Sequence, residues 1–422
     1  MEDVMFDLST QQLKEISLDL QAKIYKGFEK DGEEIACLPT YINPGKDFEG
    51  KVLALDWGGT NFRAAIIQFK KGEKPVVLDN QKTLLSDKET KGFTGERLCN
   101  EMASLIAQLK YLDSSVTHIG YCFSYEAESM FDGDAIVLQF AKGIKIPDML
   151  NKLVGKPLLE CLNNYEGIKE KTQFKTIKVI NDTIACLFAG LEQPGFDRYI
   201  GLIVGTGKNM ASAFSKEQIK KLSKDYKGGD LIPVNLESGN LQPCCSGQWD
   251  EMYLTKEDKL VDLSLPEEEQ QDHLFEKAMS GKYIGEIFRN YFSNMEIAPD
   301  FDGKSLTDIL SYPAIYKDEC VSIARQIYNR SAKLVSAALA GLILVLVSHK
   351  SEKEFDKSIN NICIAADGSL FWSEDKTGLD YNELVKKYLS ELLSDFGLGH
   401  INFEFSQLND ANLIGSAIAA LS

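Results

Sequence analysis

The chain has 422 residues, a length that predicts two domains. Of these residues 44% are hydrophobic and 26% charged, proportions typical of a globular protein and not of a disordered, fibrous or membrane chain. Its formal net charge is −17, and the acidic residues are spread along the chain, so we do not expect nucleic acid as a partner. An anionic substrate would have to arrive with a cation and meet local clusters of backbone N–H groups.

The cysteines and the first residues suggest a compartment. The 9 cysteines are scattered and form no Cys-x-x-Cys pair, so neither a disulfide framework nor a zinc site is expected. The chain begins MEDVMFDLST, which is acidic and unlike a secretory signal. We therefore expect a cytoplasmic protein. The apolar stretch from Leu334 to Ser348 is shorter than the roughly 20 residues of a spanning helix, so we expect a buried core helix and no membrane partner.

In chain order, the first predicted element is an amphipathic helix. Apolar residues from Leu13 to Phe28 recur at helical spacing behind Ser9, and Gln12 completes a capping-box pattern. Next, VLALD, a Gly-Gly turn and FRAAIIQF predict two strands folded around a tight turn. The arrangement returns in YIGLIVGTGKNMASAF. Two such hairpins predict an internally duplicated architecture.

Helices and strands alternate elsewhere, which predicts an α/β protein. Leu98 to Leu109 has a helical pattern, HIGYCFSY reads as a strand, and KVINDTIACLFAGL predicts a strand running into a helix. Lys224 to Asp258 is the longest irregular region, and loops of that length are usually functional. The chain then becomes mainly helical, returns to a strand in NICIAADGSLFW, and ends in the small-residue helix NLIGSAIAAL.

Both hairpin turns have residues suited to phosphate. In DWGGTNFR the glycines let the backbone approach an anion, Thr60 and Asn61 add donors, and Asp56 can hold hydrated Mg²⁺. Gly205-Thr206-Gly207 offers similar chemistry in the second hairpin. A glycine turn alone is more often only a turn, but two of them could hold a polyphosphate from both sides.

Asn181-Asp182-Thr183 and Lys142 each have two interpretations. Asn or Asp between a strand and a helix is ordinarily an N-cap. A carboxylate at a strand's carboxyl end is also where α/β enzymes place catalytic groups, and phosphorylation of an alcohol needs a base. Lys142, in FAKGIKIP, is by default a surface lysine, but near a phosphoryl group it would neutralise developing charge.

The ordered series LALDWGGTNFR, GYCFSY, FAKG, VINDTIA, GLIVGTGKN, VNLESGN, LFEKAMSGKYIGE and ADGSLFW resembles the hexokinase and glucokinase family. The resemblance runs from Leu13 to Leu421. It implies an α/β fold of the two-lobed actin-like (ribonuclease H-like) ATPase type with a central cleft. It also implies a small lobe at 52–178 plus 409–422 and a large lobe at 1–51 plus 179–408. The implied function is ATP-dependent phosphorylation of the 6-hydroxyl of a hexose, with glucose as the expected substrate, at the entry to glycolysis.

The resemblance also assigns roles by motif match. Asp182 is similar to the family's catalytic base, and Lys142 to the lysine beside the transferred phosphoryl group. Carboxylates and amides suit a ring of hydroxyls, and the positions that match sugar-binding residues are Ser124, Lys142, Asn181, Asp182, Asn209, Glu237 and Glu276. The positions that match ATP-binding residues are Asp56, Gly58, Gly59, Thr60, Asn61, Arg63, Gly205, Thr206, Gly207, Lys282, Gly368 and Ser369. Mg²⁺ is expected on the ATP phosphates, with Asp56 as a candidate ligand through water.

The chain departs from the family pattern around the sugar. Phe140-Ala141-Lys142-Gly143 stands where Trp-Thr-Lys-Gly is usual, so a threonine hydroxyl that contacts sugar is missing. Glu126 replaces a proline, Trp57 an aliphatic residue and Ser238 a tryptophan. One hydrogen bond contributes about 0.5–1.5 kcal/mol, which predicts weaker affinity or a changed sugar preference and not inactivity.

Other functions stay open at this point. A catalytically weak sugar sensor or regulator fits the departures, but the presence of Asp182 and Lys142 opposes it. An actin-like or chaperone-like ATPase would need neither sugar-binding carboxylates nor the Asn-Asp-Thr element. ROK-type sugar kinases share the fold but usually carry a Cys/His zinc motif, and none of the 4 histidines has that spacing. The preferred hexose and the oligomeric state are left open.

Overall fold

The computed structural model describes residues 5–45, 48–58, 61–84, 93–140, 144, 146–242, 253–348, 358–378 and 380–422. The strands are β1 (Leu38–Pro39), β2 (Gly50–Gly58), β3 (Asn61–Phe69), β4 (Val76–Leu84), β5 (His118–Phe123), β6 (Glu126–Ser129), β7 (Ala135–Gln139), β8 (Thr176–Ile180), β9 (Arg198–Val204), β10 (Lys208–Ser215), β11 (Leu231–Asn235), β12 (Asn361–Asp367) and β13 (Asn402–Gln407). The α-helices are α1 (Thr10–Glu29), α2 (Gly95–Ile106), α3 (Gly155–Asn164), α4 (Asp182–Gly190), α5 (Lys256–Leu263), α6 (Leu274–Met279), α7 (Gly281–Tyr291), α8 (Gly303–Ser311), α9 (Asp318–Val347), α10 (Tyr381–Asp395) and α11 (Ala411–Ala420).

The two main sheets share one topology, which confirms the predicted duplication. The five-stranded sheet has the order β4-β3-β2-β5-β8, with an antiparallel β2-β3-β4 meander and parallel β5 and β8. The six-stranded sheet repeats this order as β11-β10-β9-β12-β13 and adds β1 at one edge. Each predicted glycine turn therefore joins the first two strands, in chain order, of the repeated five-strand unit. The lobe limits at 52–178 and 179–408 stay predictions.

Helices α4 and α11 lie between the two sheets. Side chains from α4, α11, β2, β3 and β5 share one buried apolar cluster. The packing is close enough to demand glycine, since a Cβ on Gly415 would lie 1.9 Å from the carbonyl oxygen of Ala185, and one on Gly120 would lie 1.7 Å from that of Ser416. The small residues of the terminal helix thus allow the two lobes to pack against a common pair of helices.

The apolar stretch at Leu334 to Ser348 is confirmed as core. It forms the second half of α9, which begins earlier than the sequence suggested because its first half carries polar residues. Among the residues that the structure describes, α9 alone is long and apolar enough to cross a membrane, but 94% of its most apolar window is buried inside the protein. It packs against α1 and α10, and Ser17 Oγ donates to the carbonyl of Ala337 at 2.9 Å.

Two local predictions have different outcomes. The capping box of α1 is confirmed, since Ser9 accepts from the backbone N–H of Gln12 and the Gln12 side chain accepts from that of Ser9. The irregular region at Lys224 to Asp258 is shorter than predicted, because β11 lies inside it and α5 begins at Lys256. Pro233 hid this strand, as proline is rare inside paired strands.

Candidate functional site

Asp182 stands where β8 passes into α4. Asn181 caps that helix, with its side-chain oxygen accepting the N–H of Thr183 at 2.8 Å. Asp182 is the first helical residue, and its carboxylate accepts the hydroxyl of Thr183 at 3.2 Å. The capping interpretation therefore applies to Asn181. The Asp182 carboxylate remains a candidate for other chemistry.

The structure brings Asp182 near acidic residues of both lobes. Burial raises the pKa of Asp56, at the end of β2, above its ordinary value against the effect of Arg63, and the negative charge of Asp182 adds to the rise. The same charge contributes to the raised pKa of Glu237, which follows β11. Three predicted site residues from separate elements thus lie close enough to interact through their charges.

Glu237 lies in an unusual backbone and electrostatic environment. Its φ of 54° is in the left-handed region, which few residues other than glycine adopt. Asn235 Nδ2 donates to Glu237 Oε1 at 2.6 Å. Burial raises the pKa of Glu237 to about 7, and the charges of Asp182, Glu126 and Glu276 add to the effect while the Asn235 hydrogen bond opposes it. A hydroxyl-bearing ligand would supply the donors that this carboxylate needs.

Asn209 and Glu276 meet at the start of β10. Asn209 Oδ1 accepts the backbone N–H groups of Met210 at 2.7 Å and Ser238 at 3.1 Å. Glu276, on α6, accepts the backbone N–H of Lys208 at 2.8 Å. Because Lys208 and Asn209 are consecutive, a single strand end positions both predicted sugar-binding side chains.

Gly58, the first residue of the first glycine turn, lies beside Ser124. A Cβ on Gly58 would lie 3.2 Å from Ser124 Oγ, so the predicted phosphate and sugar positions are neighbours here. Asn61 follows the turn and pairs with Gly58 across the hairpin.

Arg63 joins two carboxylates behind this turn. Its Nη2 lies 2.7 Å from Asp56 Oδ2, and its Nη1 lies 2.8 Å from Asp410 Oδ1 at the start of α11. Asn412 Nδ2 donates to Asp56 Oδ1 at 3.3 Å. Arg63 is thus ion-paired on both sides, and it connects the first turn to the helix between the lobes.

The second glycine turn is held by α7 and by the segment after β12. Gly281 N–H donates to the carbonyl of Gly205 at 2.7 Å, and Gly205 N–H donates to that of Gly207 at 2.9 Å. A Cβ on Gly207 would lie 2.7 Å from Glu276 Oε2. Gly368 has a φ of 119°, and a Cβ there would lie 2.2 Å from the carbonyl oxygen of Val204. The predicted positions 205, 207, 276 and 368 therefore converge.

A cavity of about 680 Å³ opens next to this turn. Predicted ATP-binding residues Thr206, Lys282 and Ser369 line it together with Gly205. Residues from α7 and α8 complete its walls. Its size suits a drug-sized ligand such as a nucleotide, since such sites usually measure about 300–1,000 Å³.

Three predicted positions, Gly59, Thr60 and Lys142, lie outside the described residues, as do Ala141 and Gly143.

Three of the residues that depart from the family pattern, Trp57, Ser238 and Glu126, lie near the predicted sugar-binding residues. Trp57 is fully buried, and its ring centroid lies 6.2 Å from that of Phe140 and 4.9 Å from that of Tyr125. Ser238 contacts Asn209 through its backbone N–H. Glu126 begins β6, and its charge contributes to the raised pKa of Glu237. These substitutions thus act on the sugar side of the cleft.

Sequence reasoning missed three groups of this site. Asp410 and Asn412 support Arg63 and Asp56, and Asn235 holds Glu237. Lys208 lies buried behind Asn209. Asn235 is part of the quoted VNLESGN motif, so its polar side chain at a strand end was a usable signal. Asp410 and Asn412 had no local signal because their partners are more than 300 positions away.

Comparisons with known proteins identify the family of the chain. Two family models, both described as hexokinase, match residues 3–191 and residues 199–308 and 304–422. Hexokinase-2 of Schizosaccharomyces pombe is 27% identical over 79% of this chain and 72% of its own length. Hexokinase HKDC1 of Homo sapiens is 30% identical over 68% of this chain, which spans only 30% of that longer protein.

Solved structures share the fold. The hexokinase from Schistosoma mansoni, solved in complex with glucose, has a TM-score of 0.77 at 21% identity and covers 98% of this chain and 96% of its own. A ROK family glucokinase from Streptomyces griseus, solved with glucose and AMPPNP, has a TM-score of 0.53 at 18% identity over 88% of this chain and 99% of its own. The predicted actin-like fold is thus confirmed. The chain belongs to the hexokinase family and is a sugar kinase, an ATP:hexose phosphotransferase.

Proposed function

We propose that the chain transfers the γ-phosphoryl group of MgATP to the 6-hydroxyl of a hexose, with glucose as the first substrate to test. The observation that carries this proposal is the position of Asp182, between the end of β8 and α4 and within electrostatic range of Asp56 and Glu237. A base at that place is near both the first glycine turn and the sugar-binding carboxylate.

The transfer assigns one task to each side of the cleft. As the O6–phosphorus bond forms, the O6 proton moves to the Asp182 carboxylate, and the bond from the γ-phosphorus to ADP breaks. The backbone N–H groups of the two glycine turns take up the charge that develops on the phosphoryl oxygens. Lys142 is proposed to add a positive charge there, by its motif match alone.

Mg²⁺ arrives in this proposal with ATP, as part of the substrate. Asp56 is the candidate that would hold it through water. Its Oδ2 accepts from Arg63 Nε at 2.9 Å and lies 2.7 Å from Arg63 Nη2, whereas its Oδ1 accepts from Asn412 Nδ2 at the longer distance of 3.3 Å. An oxygen with a remaining lone pair suits the hydration shell of Mg²⁺, which prefers oxygen ligands and keeps several waters.

Hexose recognition is proposed to rest on Ser124, Asn181, Asn209, Glu237 and Glu276. Each is only partly exposed, or buried in the case of Ser124, and each carries an acceptor or a donor and acceptor. Polar groups in such a site reject analogues that leave them unpaired. Closure of the lobes around sugar would also exclude water, which is a competing nucleophile for ATP.

A second candidate is a catalytically weak sugar sensor or regulator. The observation that favours it is the negative charge of Glu126. Together with burial, this charge helps to raise the pKa of Glu237 to about 7, so that a smaller fraction of Glu237 is ionised and able to accept sugar hydroxyls at neutral pH.

We place the protein in the cytoplasm, and the seven described cysteines, which are all free, support this.

A hexose panel tests the proposal. ADP release would be measured with MgATP and glucose, mannose, fructose or galactose, and without sugar, and the product would be identified by phosphorus NMR. We expect sugar-dependent release and a 6-phosphate product. ATP turnover that needs no sugar would contradict the proposal. Saturable hexose binding without turnover would instead support the sensor.

A further inference from the structure

We propose that Lys208 is a positioning residue for hexose binding, because its buried side chain starts a chain of hydrogen bonds that orients Asn209 and Glu237. The chain runs through five side chains, Lys208, Ser238, Asn209, Asn235 and Glu237. The inference rests on the proposed roles of Asn209 and Glu237 in binding the sugar.

The placement of Lys208 is costly. Its side chain is only 2% exposed, and its amine lies 5.2 Å from the ring centroid of Phe275. Within the described part of the chain, no carboxylate lies within ion-pair distance of this amine. Burial lowers the pKa of Lys208 to about 7, against the effect of Glu276. A lysine is rarely buried without an ion-pair partner, so this position calls for a specific role.

The hydrogen bonds of the chain all point in one direction. Lys208 Nζ donates to Ser238 Oγ at 2.9 Å, and Ser238 Oγ donates to Asn209 Oδ1 at 3.4 Å. Asn209 Nδ2 donates to Asn235 Oδ1 at 2.7 Å. Asn235 Nδ2 then donates to Glu237 Oε1 at 2.6 Å.

With Lys208 protonated and Glu237 ionised, both ends of the chain allow only this direction. A lysine ammonium can only donate, so Ser238 Oγ must accept from it and has its own hydrogen left for Asn209. At the other end, a carboxylate can only accept, so Asn235 must present its NH₂ group to Glu237. The amide of Asn209 is thereby fixed, and its Oδ1 also accepts the N–H of Met210.

The other buried lysine of this region shows what a purely structural role looks like. Lys277 is 4% exposed, and its amine lies 2.8 Å from Asp262, which ties α6 to α5. Lys208 instead contacts a hydroxyl next to the proposed sugar-binding residues. Its loss should therefore change hexose affinity more than folding, whereas loss of Lys277 should do the reverse.

The test uses the full chain and the variants Lys208→Met and Ser238→Ala, with Lys277→Met as the matched control. Methionine keeps the length of the side chain without its charge or donors. We expect Lys208→Met to raise the hexose Kd, measured by titration calorimetry, and the hexose KM by about tenfold, the loss of roughly one hydrogen bond. The kcat and the KM for ATP should stay near the parent values. The double variant Lys208→Met/Ser238→Ala should be no worse than either single one, because both act through one chain.

Each outcome decides the matter. If Lys208→Met binds hexose as tightly as the parent, the inference is overturned and the proposed function is left intact. The same holds if this variant loses activity and thermal stability generally, with a lower kcat and a higher KM for both hexose and ATP. If Lys208→Met does not fold, Ser238→Ala decides alone by the same criteria. A parent that neither binds nor phosphorylates any hexose of the panel overturns the proposed function, and the inference with it. In Lys277→Met we expect lower thermal stability with parental hexose affinity.

Discussion

The turn between β2 and β3 and the turn between β9 and β10 occupy equivalent places in two sheets of the same strand order. Behind the first turn, Arg63 bridges Asp56 and Asp410 and so reaches the helix between the lobes. Behind the second turn, Lys208 lies buried with a hydroxyl as its acceptor, and Glu276 lies against Gly207. The duplicated backbone thus carries two different charge arrangements.

These two arrangements predict that the two turns affect different functions. The first turn is linked to α11, so changes there should act on lobe packing and on the nucleotide. The second turn touches Glu276 and adjoins the chain from Lys208 to Glu237, so changes there should also act on the sugar. Substitutions at and behind the two turns test this division.

Among the variants that compare the two turns, Gly207→Ala should have the largest effect. The added Cβ would lie 2.7 Å from Glu276 Oε2, and it would push that carboxylate from its place. A displacement of about 1 Å in a binding group can cost about 100-fold, which is the fall in kcat/KM that we expect. Steady-state kinetics with varied hexose and ATP would measure it. Gly45→Ala is the control, since a Cβ there has no neighbour within 4 Å, and it should behave as the parent does.

The next effect is expected from Arg63→Met. It leaves Asp56, which is 7% exposed, without its cationic partner, and an unpaired buried group costs about 1–3 kcal/mol. Urea unfolding should show a loss of that size, together with a higher KM for ATP. The surface pair of Arg97 and Glu101 provides the control, because Arg97→Met should cost less than about 1 kcal/mol. Equal losses in the two variants would count against a special role for Arg63.

A smaller effect is expected from pH, through Glu237. Its pKa in the folded protein, about 7, lies above the ordinary 4.5, so its contribution to stability is fully present below pH 4.5 and is lost as the pH rises through 7. The carboxylate is the better acceptor for sugar hydroxyls, so hexose affinity should rise over the same range, by up to about tenfold per pH unit below 7. Burial raises this pKa most; the Asn235 hydrogen bond opposes the rise, and the charges of Asp182, Glu126 and Glu276 add to it.

Calorimetry between pH 5.5 and 8.5 would measure this dependence, with Glu237→Gln as the variant that should flatten it. A hexose affinity that is independent of pH in the parent would show that Glu237 does not accept a sugar hydroxyl.

The smallest effect is expected from Gly58→Ala. Its added Cβ would lie 3.2 Å from Ser124 Oγ, a contact that a small rotation of the serine relieves. We expect kcat/KM to fall by less than about threefold, against about 100-fold for Gly207→Ala. Similar losses at positions 58 and 207 would contradict the division between the two turns.

The sequence predicted the parts of this molecule that depend on local pattern. Two glycine hairpins gave the duplicated sheets, and the apolar half of α9 gave the core. Several of the residues that the motif matches named lie near one another in the described part of the chain, whereas Gly59, Thr60 and Lys142 lie outside it. Residues whose partners are distant in the chain were not predictable in this way. Arg63 and Asp410 are 347 positions apart. The side chain of Lys208 contacts Ser238 and Phe275, which are also distant from it in the chain.

Asp182 is the proposed base of the phosphoryl transfer, and Asp182→Asn tests this role directly. The control is Asp318→Asn, which changes the first residue of another helix at an exposed position. Single-turnover measurements of phosphoryl transfer to the best hexose of the panel should show a fall of about 10²–10⁴-fold in Asp182→Asn and parental rates in Asp318→Asn. A rate in Asp182→Asn above about one tenth of the parent's would contradict the account, since a lost general base costs at least about 100-fold.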